Sequence, residues 1–458
     1  MVYLIQVITM KKDTIAAIAT SLGEAAINVV RLSGEDAFTI VDSVFDGQTL
    51  NDAPSHTVHY GHILDGTTTV DEVLVTLFRA PTSFTREDMI EIGCHGGTYV
   101  ARKILELLLS KGARLAERGE FTERAFLNGR IDLTQAESVL DIIEARTELS
   151  LTLANQGLKG FLRDKIRAYR RRLLDVVAHI EVNIDYPEYD DVEQLTDELV
   201  LPMIADLRDS IEALLAKAED GKVIRDGVKT AIVGKPNVGK SSLLNTLLGE
   251  ERAIVTDIQG TTRDTVEASL NMGGVVLHLI DTAGIREAAD AVERIGIERA
   301  KKALESAELV LFVLDNSVPL SDEDDTLLSL TKHKKRIIII NKIDLKSTIG
   351  RSFEDAVQLS ALTKANMETL ETRIKSMFLS GDLKQDTSAT LANARQIGLL
   401  KQAAAQIRDA EQSARDKMPV DIIEIDLKNA WETLGEITGD SHGTDLLDEL
   451  FSKFCLGK

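Results

Sequence analysis

The segment Gly234-Lys-Pro-Asn-Val-Gly-Lys-Ser241 follows an apolar run, Lys229-Thr-Ala-Ile-Val, and opens a helical stretch. A glycine-bracketed loop between a strand and a helix commits the chain locally to an α/β layer, because its backbone N–H groups and the helix N-terminus cradle phosphate oxygens. Alone the pattern also turns up by chance. Four further stretches follow it in order, Gly260-Thr-Thr-Arg-Asp264, Asp281-Thr-Ala-Gly284, Asn341-Lys-Ile-Asp344 and Ser360-Ala361. Together the five describe one guanine-nucleotide site and leave little room for coincidence.

Each residue type suits its place. Asn237, Val238, Gly239, Lys240, Ser241 and Ser242 would line the phosphates, with Lys240 neutralising the outer charges and Ser241 offering its hydroxyl to Mg²⁺. Asp281 would hold a water of that metal, Thr282 and Ala283 continue the turn, and the Gly284 N–H can approach the terminal phosphate. Asp344 can accept from the imino and amino groups of guanine, a pair adenine lacks. Asn341 would brace the loop, the stem of Lys342 would pack along the ring, and the Ala361 N–H, between Ser360 and Leu362, can meet the guanine oxygen.

Ras-like enzymes place a water-orienting glutamine directly after the Asp-Thr-Ala-Gly turn, and here that position is Ile285. An isoleucine cannot hold water. Arg286, Glu287, Asp290, Glu293 and Arg294 are the nearby polar candidates. Asn237 either binds a monovalent cation beside the phosphates or merely suits a turn.

With 458 residues the chain exceeds a single core and suggests about three domains. Its two cysteines, Cys94 and Cys455, make a disulfide framework improbable and point to a reducing, cytoplasmic setting. The start before Met10 lacks the basic lead and cleavage site of a signal peptide, and no apolar run reaches the roughly 20 residues a membrane span needs. A formal net charge of -21 excludes a general coat for nucleic acid. One local exception is Lys159 to Arg172, where seven cations (Lys159, Arg163, Lys165, Arg167, Arg170, Arg171, Arg172) face a single Asp164. That run is either a solvated helix face or a contact for RNA or phosphate.

Strand-like runs at Ile15, Ile27, Val73 and Met89 and a helix over Tyr99 to Leu109 predict an α+β unit at 1–128. Leu173, Val177, Ile180 and Ile184 recur at helical steps in a first helical part, 129–226, broken at Tyr186-Pro187. Apolar strands alternate with helices over 227–383, as in a parallel sheet covered on both faces. Helical text returns over 384–458, with Leu391, Ala394, Ile397 and Leu400 on one face. A nucleotide domain inserted into one split helical domain is the economical organisation, with separate helical domains as the alternative.

Asp281-Thr-Ala-Gly-Ile-Arg-Glu287, Val292-Glu-Arg-Ile-Gly-Ile-Glu298, Phe84-Thr-Arg-Glu-Asp88, Gly93-Cys-His-Gly-Gly97, Arg118-Gly-Glu-Phe-Thr-Glu-Arg-Ala-Phe-Leu-Asn128, Asn183-Ile-Asp-Tyr-Pro-Glu188, Leu434-Gly-Glu-Ile-Thr-Gly439 and the terminal Phe454-Cys-Leu-Gly-Lys458 carry a closer likeness. Over nearly its whole length the chain resembles the MnmE (TrmE) family of tRNA modification GTPases. The resemblance implies a multidomain α/β protein, with a Ras-like GTPase domain inserted into a discontinuous helical domain and preceded by an α+β folate-binding-like domain. It implies a homodimer paired through the N-terminal domains, a formyl-tetrahydrofolate-type one-carbon donor, and an MnmG-type flavin- and NADH-using partner. The product would be the carboxymethylaminomethyl group at C5 of the tRNA wobble uridine.

Carried over residue by residue, K⁺ would sit on Asn237 with oxygens of Thr256, Ile258 and Thr261, and Mg²⁺ on Ser241 and Thr262, with Gly260 in the same loop. Glu293 would orient the attacking water. Folate contacts would fall at Arg31, Glu87, Arg130 and Lys458. Cys455 stands where a prenylated cysteine would, but Gly457 and Lys458 fit that signal poorly; it is a candidate for chemistry instead. Ala26 and Asn28 depart from the family's usual glycines. A ribosome-assembly switch GTPase is the competing class, and nothing in 387–458 reads as the basic, glycine-looped RNA module it would carry.

Overall fold

The computed structural model describes residues 13–21, 23–185, 196–249, 253–254, 266–280, 304–379, 393–440 and 444–458. Two compact units emerge, Met1–Leu140 with Thr438–Lys458, and Asp141–Ile437.

The first unit is built on a seven-stranded sheet of order β3-β4-β5-β6-β2-β1-β7. The strands are β1 (Ile15–Ile18), β2 (Ile27–Ser33), β3 (Phe45–Asp46), β4 (Thr57–Asp65), β5 (Thr68–Phe78), β6 (Met89–His95) and β7 (Arg114–Leu115). All neighbours pair antiparallel except β1 with β7. Alternation along the strands divides the sheet into two faces. Val30, Leu32, Ile63, Val75, Ile90 and Ile92 form a core with helices Ala37–Asp42 and Thr98–Ser110, the latter burying Ala101, Ile104 and Leu108 at helical steps. Ile15, Ala17 and Met89 instead gather with Ala116 and Phe121, with Phe78 and Phe84 packed alongside.

The chain's end belongs to this second face. Helix Thr444–Ser452 leads to a buried Phe454, Leu456 bridges to Arg118, and the Phe121 N–H donates to the Lys458 carbonyl at 3.1 Å. Gly119 makes that approach feasible: its φ is +71°, and a Cβ there would lie 2.6 Å from the Phe451 carbonyl oxygen. The closing segment, grouped in sequence with the second helical part at 384–458, thus packs within the N-terminal unit, with Phe451 and Phe454 buried against Gly119 and each other.

The second unit holds the nucleotide sheet, of order β14-β13-β12-β8-β11-β10-β9. Its strands are β8 (Val228–Val233), β9 (Ala253–Ile254), β10 (Val266–Met272), β11 (Val275–Ile280), β12 (Leu309–Asp315), β13 (Lys335–Asn341) and β14 (Val357–Gln358). From β14 to β11 every pairing is parallel; β10 folds back antiparallel on β11 and β9. Leu309, Leu311 and Val313 point into one apolar layer and Val310, Phe312 and Leu314 into the other, so β12 is buried on both sides.

Helices Phe161–Asp185, Leu201–Ala216, Ala394–Arg415 and Val420–Thr438 share one core, with Leu173, Val177, Ile180, Leu207, Ile407 and Leu434 fully or almost fully buried. Helices before and after the nucleotide sheet therefore build a single bundle into which that sheet is inserted. Ile397 and Leu400 face the core as their spacing predicts, but Ala394, the helix's first residue, is exposed; Leu391 and Tyr186-Pro187 lie outside the described residues. Among the described residues no helix is long and apolar enough to cross a membrane.

Candidate nucleotide site and N-terminal ligand face

β8 delivers the chain to Gly234, where a Cβ would meet the Val313 carbonyl oxygen at 2.4 Å. Asn237 and Gly239 then take positive φ, +64° and +97°, and a Cβ on Gly239 would lie 2.3 Å from Asn341 Nδ2. That crowding is the phosphate loop packed against the base-reading loop. Asn341 is the brace between them: its Nδ2 donates to the Val238 carbonyl at 2.9 Å, and its Oδ1 accepts from the Ala361 N–H at 2.9 Å. The Ala361 N–H, expected at the guanine oxygen, is thus already engaged, and a purine carbonyl would have to share that donor. Thr246 Oγ1 donates to the Ala361 carbonyl at 2.7 Å, pinning the same loop to helix Lys240–Gly249.

Lys240, Ser241 and Ser242 form the first turn of that helix. Lys240 Nζ donates to the carbonyls of Gly234 at 2.6 Å and Lys235 at 2.7 Å. Burial pulls its pKa below the usual lysine value, with Glu323 pulling the other way. An ammonium held on neutral carbonyls, with no carboxylate bonded to it among the described residues, is disposed to exchange them for phosphate oxygens.

Lys342, at φ +63°, sends Nζ to the Asn237 carbonyl at 2.8 Å and to Asp315 Oδ2 at 2.6 Å. Burial works to raise the Asp315 pKa, but the bonds from Lys342 and Ser317 outweigh it and hold the carboxylate below its ordinary range. Asp344 is exposed, and buried Ser360 fixes it by donating to Oδ1 at 2.5 Å. Leu362 is 82% exposed at the loop's rim. Thr256, Ile258, Gly260, Thr261, Thr262, Asp281, Thr282, Ala283, Gly284, Ile285 and Glu293 lie outside the described residues.

Motif reading misses one support of this cradle. Lys235 Nζ reaches Asp324 Oδ2 at 2.7 Å, and Asp324 also caps its own helix by accepting from the Ser321 N–H at 2.9 Å. Ser321-Asp-Glu-Asp324 is visible in sequence as a helix start. Its partner 89 residues earlier is not.

On the N-terminal face Arg31 forks onto Glu91 at 2.7 Å, donates to the Gly457 carbonyl at 3.0 Å, and stands 5.6 Å from the centroid of the Phe121 ring. Glu87 accepts from Ser33 at 2.7 Å and Arg124 at 3.2 Å. Arg31, Glu87 and the Gly457-Lys458 tail are thereby brought to one place, while the Cys455 thiol is exposed. Arg130 stacks 4.7 Å over Phe84; burial first, then the neighbouring Arg86, pulls its pKa below the ordinary arginine value. Buried Arg124, which lies in the family-matching stretch 118–128 but to which the sequence assigns no role, binds Asp13 at 2.7 Å and Glu120 at 3.1 Å as well as Glu87. Asn28, one of the departures from the family pattern, is buried; its Oδ1 accepts from Thr20 at 2.9 Å, and its Nδ2 has no partner among the described residues.

A carboxylate fixed by a buried serine beside a phosphate cradle selects a purine carrying two adjacent donors, which makes this a P-loop guanine-nucleotide-binding protein with a Ras-like domain. Family models narrow the class: GTP-binding protein TrmE N-terminus matches residues 14–130 and the MnmE helical domain matches 133–455. The chain is 53% identical to the tRNA modification GTPase MnmE of Lactobacillus johnsonii, over 97% of its own length and 98% of the relative's. Against the proteins of that name from Streptococcus thermophilus and Levilactobacillus brevis it is 51% identical (98% of this chain, all of the relative) and 52% identical (99% and all). The chain belongs to the MnmE family, whose site chemistry is GTP hydrolysis with Mg²⁺.

Proposed function

We propose that this chain hydrolyses GTP by a K⁺-dependent reaction between paired nucleotide domains, and that the reaction drives modification of the tRNA wobble uridine. Lys240 binds the outer phosphates, Ser241 and Thr262 hold Mg²⁺, and Glu293 orients the attacking water in place of the glutamine that Ile285 displaces. Asn237, with oxygens of Thr256, Ile258 and Thr261, would hold K⁺, whose charge serves as an arginine finger does elsewhere. The observation carrying this reading is Asn237 itself. It is exposed on the phosphate loop, and among the described residues its side-chain amide has no hydrogen-bond partner, so its oxygen is available to a cation.

The N-terminal unit would hold a formyl-tetrahydrofolate-type donor between Arg31, Glu87, Arg130 and Lys458. Two features support it: Arg86 and Arg130 are close cations with no carboxylate bonded to either among the described residues, suited to a glutamate tail, and Arg31 binds the C-terminal tail at the Gly457 carbonyl. Within the four-part division at 128, 226 and 383, the N-terminal parts of two copies would pair. A flavin- and NADH-using partner of the MnmG type would complete the carboxymethylaminomethyl group at C5 of the uridine, in the cytoplasm.

Turnover measured in KCl and NaCl at equal ionic strength tests the mechanism. Faster hydrolysis in KCl, and a Glu293→Ala protein that binds GTP but turns over at least about 100-fold more slowly, are expected. Indifference to both changes would refute it.

A further inference from the structure

The basic run of helix Phe161–Asp185 has no part in the nucleotide or folate chemistry. Its inner residues Ile166, Tyr169, Leu173 and Val177 pack into the bundle core, so the helix would fold as well with a mixed-charge outer face. Three of the run's seven cations are used within the unit: Arg163 pairs with Asp164, Arg172 with Asp206, and Arg170 lies 3.9 Å over the Trp431 ring. The side chains of the other four, Lys159, Lys165, Arg167 and Arg171, make no hydrogen bond or close ion pair among the described residues, Arg167 only feeling Asp164 at longer range.

Arg167 and Arg171 are exposed and one turn apart on the outward face, with Lys159 exposed at the turn that precedes the helix. Like charges at that spacing destabilise a helix by about 0.2–0.5 kcal/mol per pair. Asp164 and Asp175 flank the stripe without bridging to either arginine. In a chain with 74 acidic residues against 53 basic, a predominantly positive stripe, met on this helix turn by the field of Asp164 alone, runs against the prevailing charge. At the head of the same helix Phe161 is 46% exposed, an aromatic surface of the kind on which an unpaired base stacks.

We infer that this face, Lys159, Lys165, Arg167 and Arg171 beside Phe161, docks the phosphate backbone of the tRNA substrate. The inference rests on the reading that the chain acts in tRNA modification. Phosphate contacts of this kind position an RNA without reading its sequence, so they would serve every substrate tRNA alike.

The test uses the full chain and an unmodified tRNA transcript, with binding followed by fluorescence anisotropy between 50 and 200 mM KCl. For the triple variant Lys159→Ala, Arg167→Ala, Arg171→Ala, affinity should fall at least about tenfold, and the slope of log K against log salt should shrink by about 3, roughly one for each cation removed. GTP hydrolysis and melting should be unchanged, and Arg167→Lys with Arg171→Lys should keep most of the binding. Lys401→Ala, an exposed lysine elsewhere in the bundle, should move neither quantity. Unchanged affinity and slope in the triple variant would overturn the inference, as would loss of an acidic protein partner with tRNA binding intact. Wobble-nucleoside analysis in a strain lacking the chain separates the two layers. If the wild-type chain fails to restore the modification, the functional reading falls and this inference with it; if both wild type and the triple variant restore it fully, only the docking face is wrong.

Discussion

The phosphate loop and the N-terminal ligand face both concentrate cations, but they neutralise them in opposite ways. Lys240 rests on two backbone carbonyls, at 2.6 and 2.7 Å, and among the described residues no carboxylate is bonded to it. Arg31, Arg114 and Arg124 are instead met by Glu91, Asp13, Glu120 and Glu87. The first arrangement keeps a charge available to a ligand at a cost in desolvation; the second uses charge to fix the shape of a site, while Arg86 and Arg130 make no ion pair among the described residues.

If that contrast is right, cations removed from the two places should fail differently. Arg124→Met would leave Glu87 without its arginine and Asp13 and Glu120 with Arg114 alone, and should cost the N-terminal unit about 3 kcal/mol, the lower end for a broken buried pair. Hydrogen exchange within residues 14–130 under increasing urea reads that unit separately; an unchanged profile would remove the structural role. Acid should mimic the change. Burial works to raise the pKa values of Asp13 and Glu120, but their arginine bonds outweigh it and leave both lowered. With folded values below unfolded ones, their stabilisation is complete above the ordinary carboxylate range of about 4 and disappears as pH falls through the lowered values. Glu123, pushed up by burial and then by Glu120, runs the other way and will blunt the effect.

Lys240→Ala should show the reverse pattern. GTP affinity or turnover should fall by about 100-fold or more, while the second unit melts no lower, because a dehydrated ammonium has been taken away. Calorimetry together with nucleotide binding checks both halves. Loss of stability comparable to that of Arg124→Met would erase the distinction between the two regions.

The same difference explains what could be read in the sequence. The phosphate loop binds through contiguous backbone, so eight residues disclose it, and strand and helix limits follow from apolar runs such as Leu309–Leu314 and the steps Leu173, Val177 and Ile180. The N-terminal face is assembled from β2, the 84–88 turn, helix Glu120–Leu127 and the tail, with Arg31 and Gly457 separated by 426 positions. No local pattern announces such a meeting, and only family likeness pointed to Arg31, Glu87, Arg130 and Lys458. Arg124 and Asp324 escaped notice for the same reason: in sequence each is one charge on an amphipathic helix, and only the fold supplies Glu87 for the one and Lys235 for the other.

The smallest expected effect is the most discriminating for the N-terminal face. Arg130 lies over Phe84 and beside Arg86, with no ion pair among the described residues, so replacing it by alanine strands no carboxylate and should leave unfolding nearly unchanged. If it waits for the anionic tail of a folate, Arg130→Ala should weaken formyl-tetrahydrofolate binding about tenfold, the scale of one charge-assisted hydrogen bond. The effect should shrink for a ligand whose glutamate carboxylates have been removed, because that ligand never engages the guanidinium. Titration of wild type and variant with both ligands decides the matter. An equal weakening for the two would move Arg130 from tail recognition to support of the ring through Phe84, and a drop in stability instead of affinity would place it with Arg124 on the structural side of the divide.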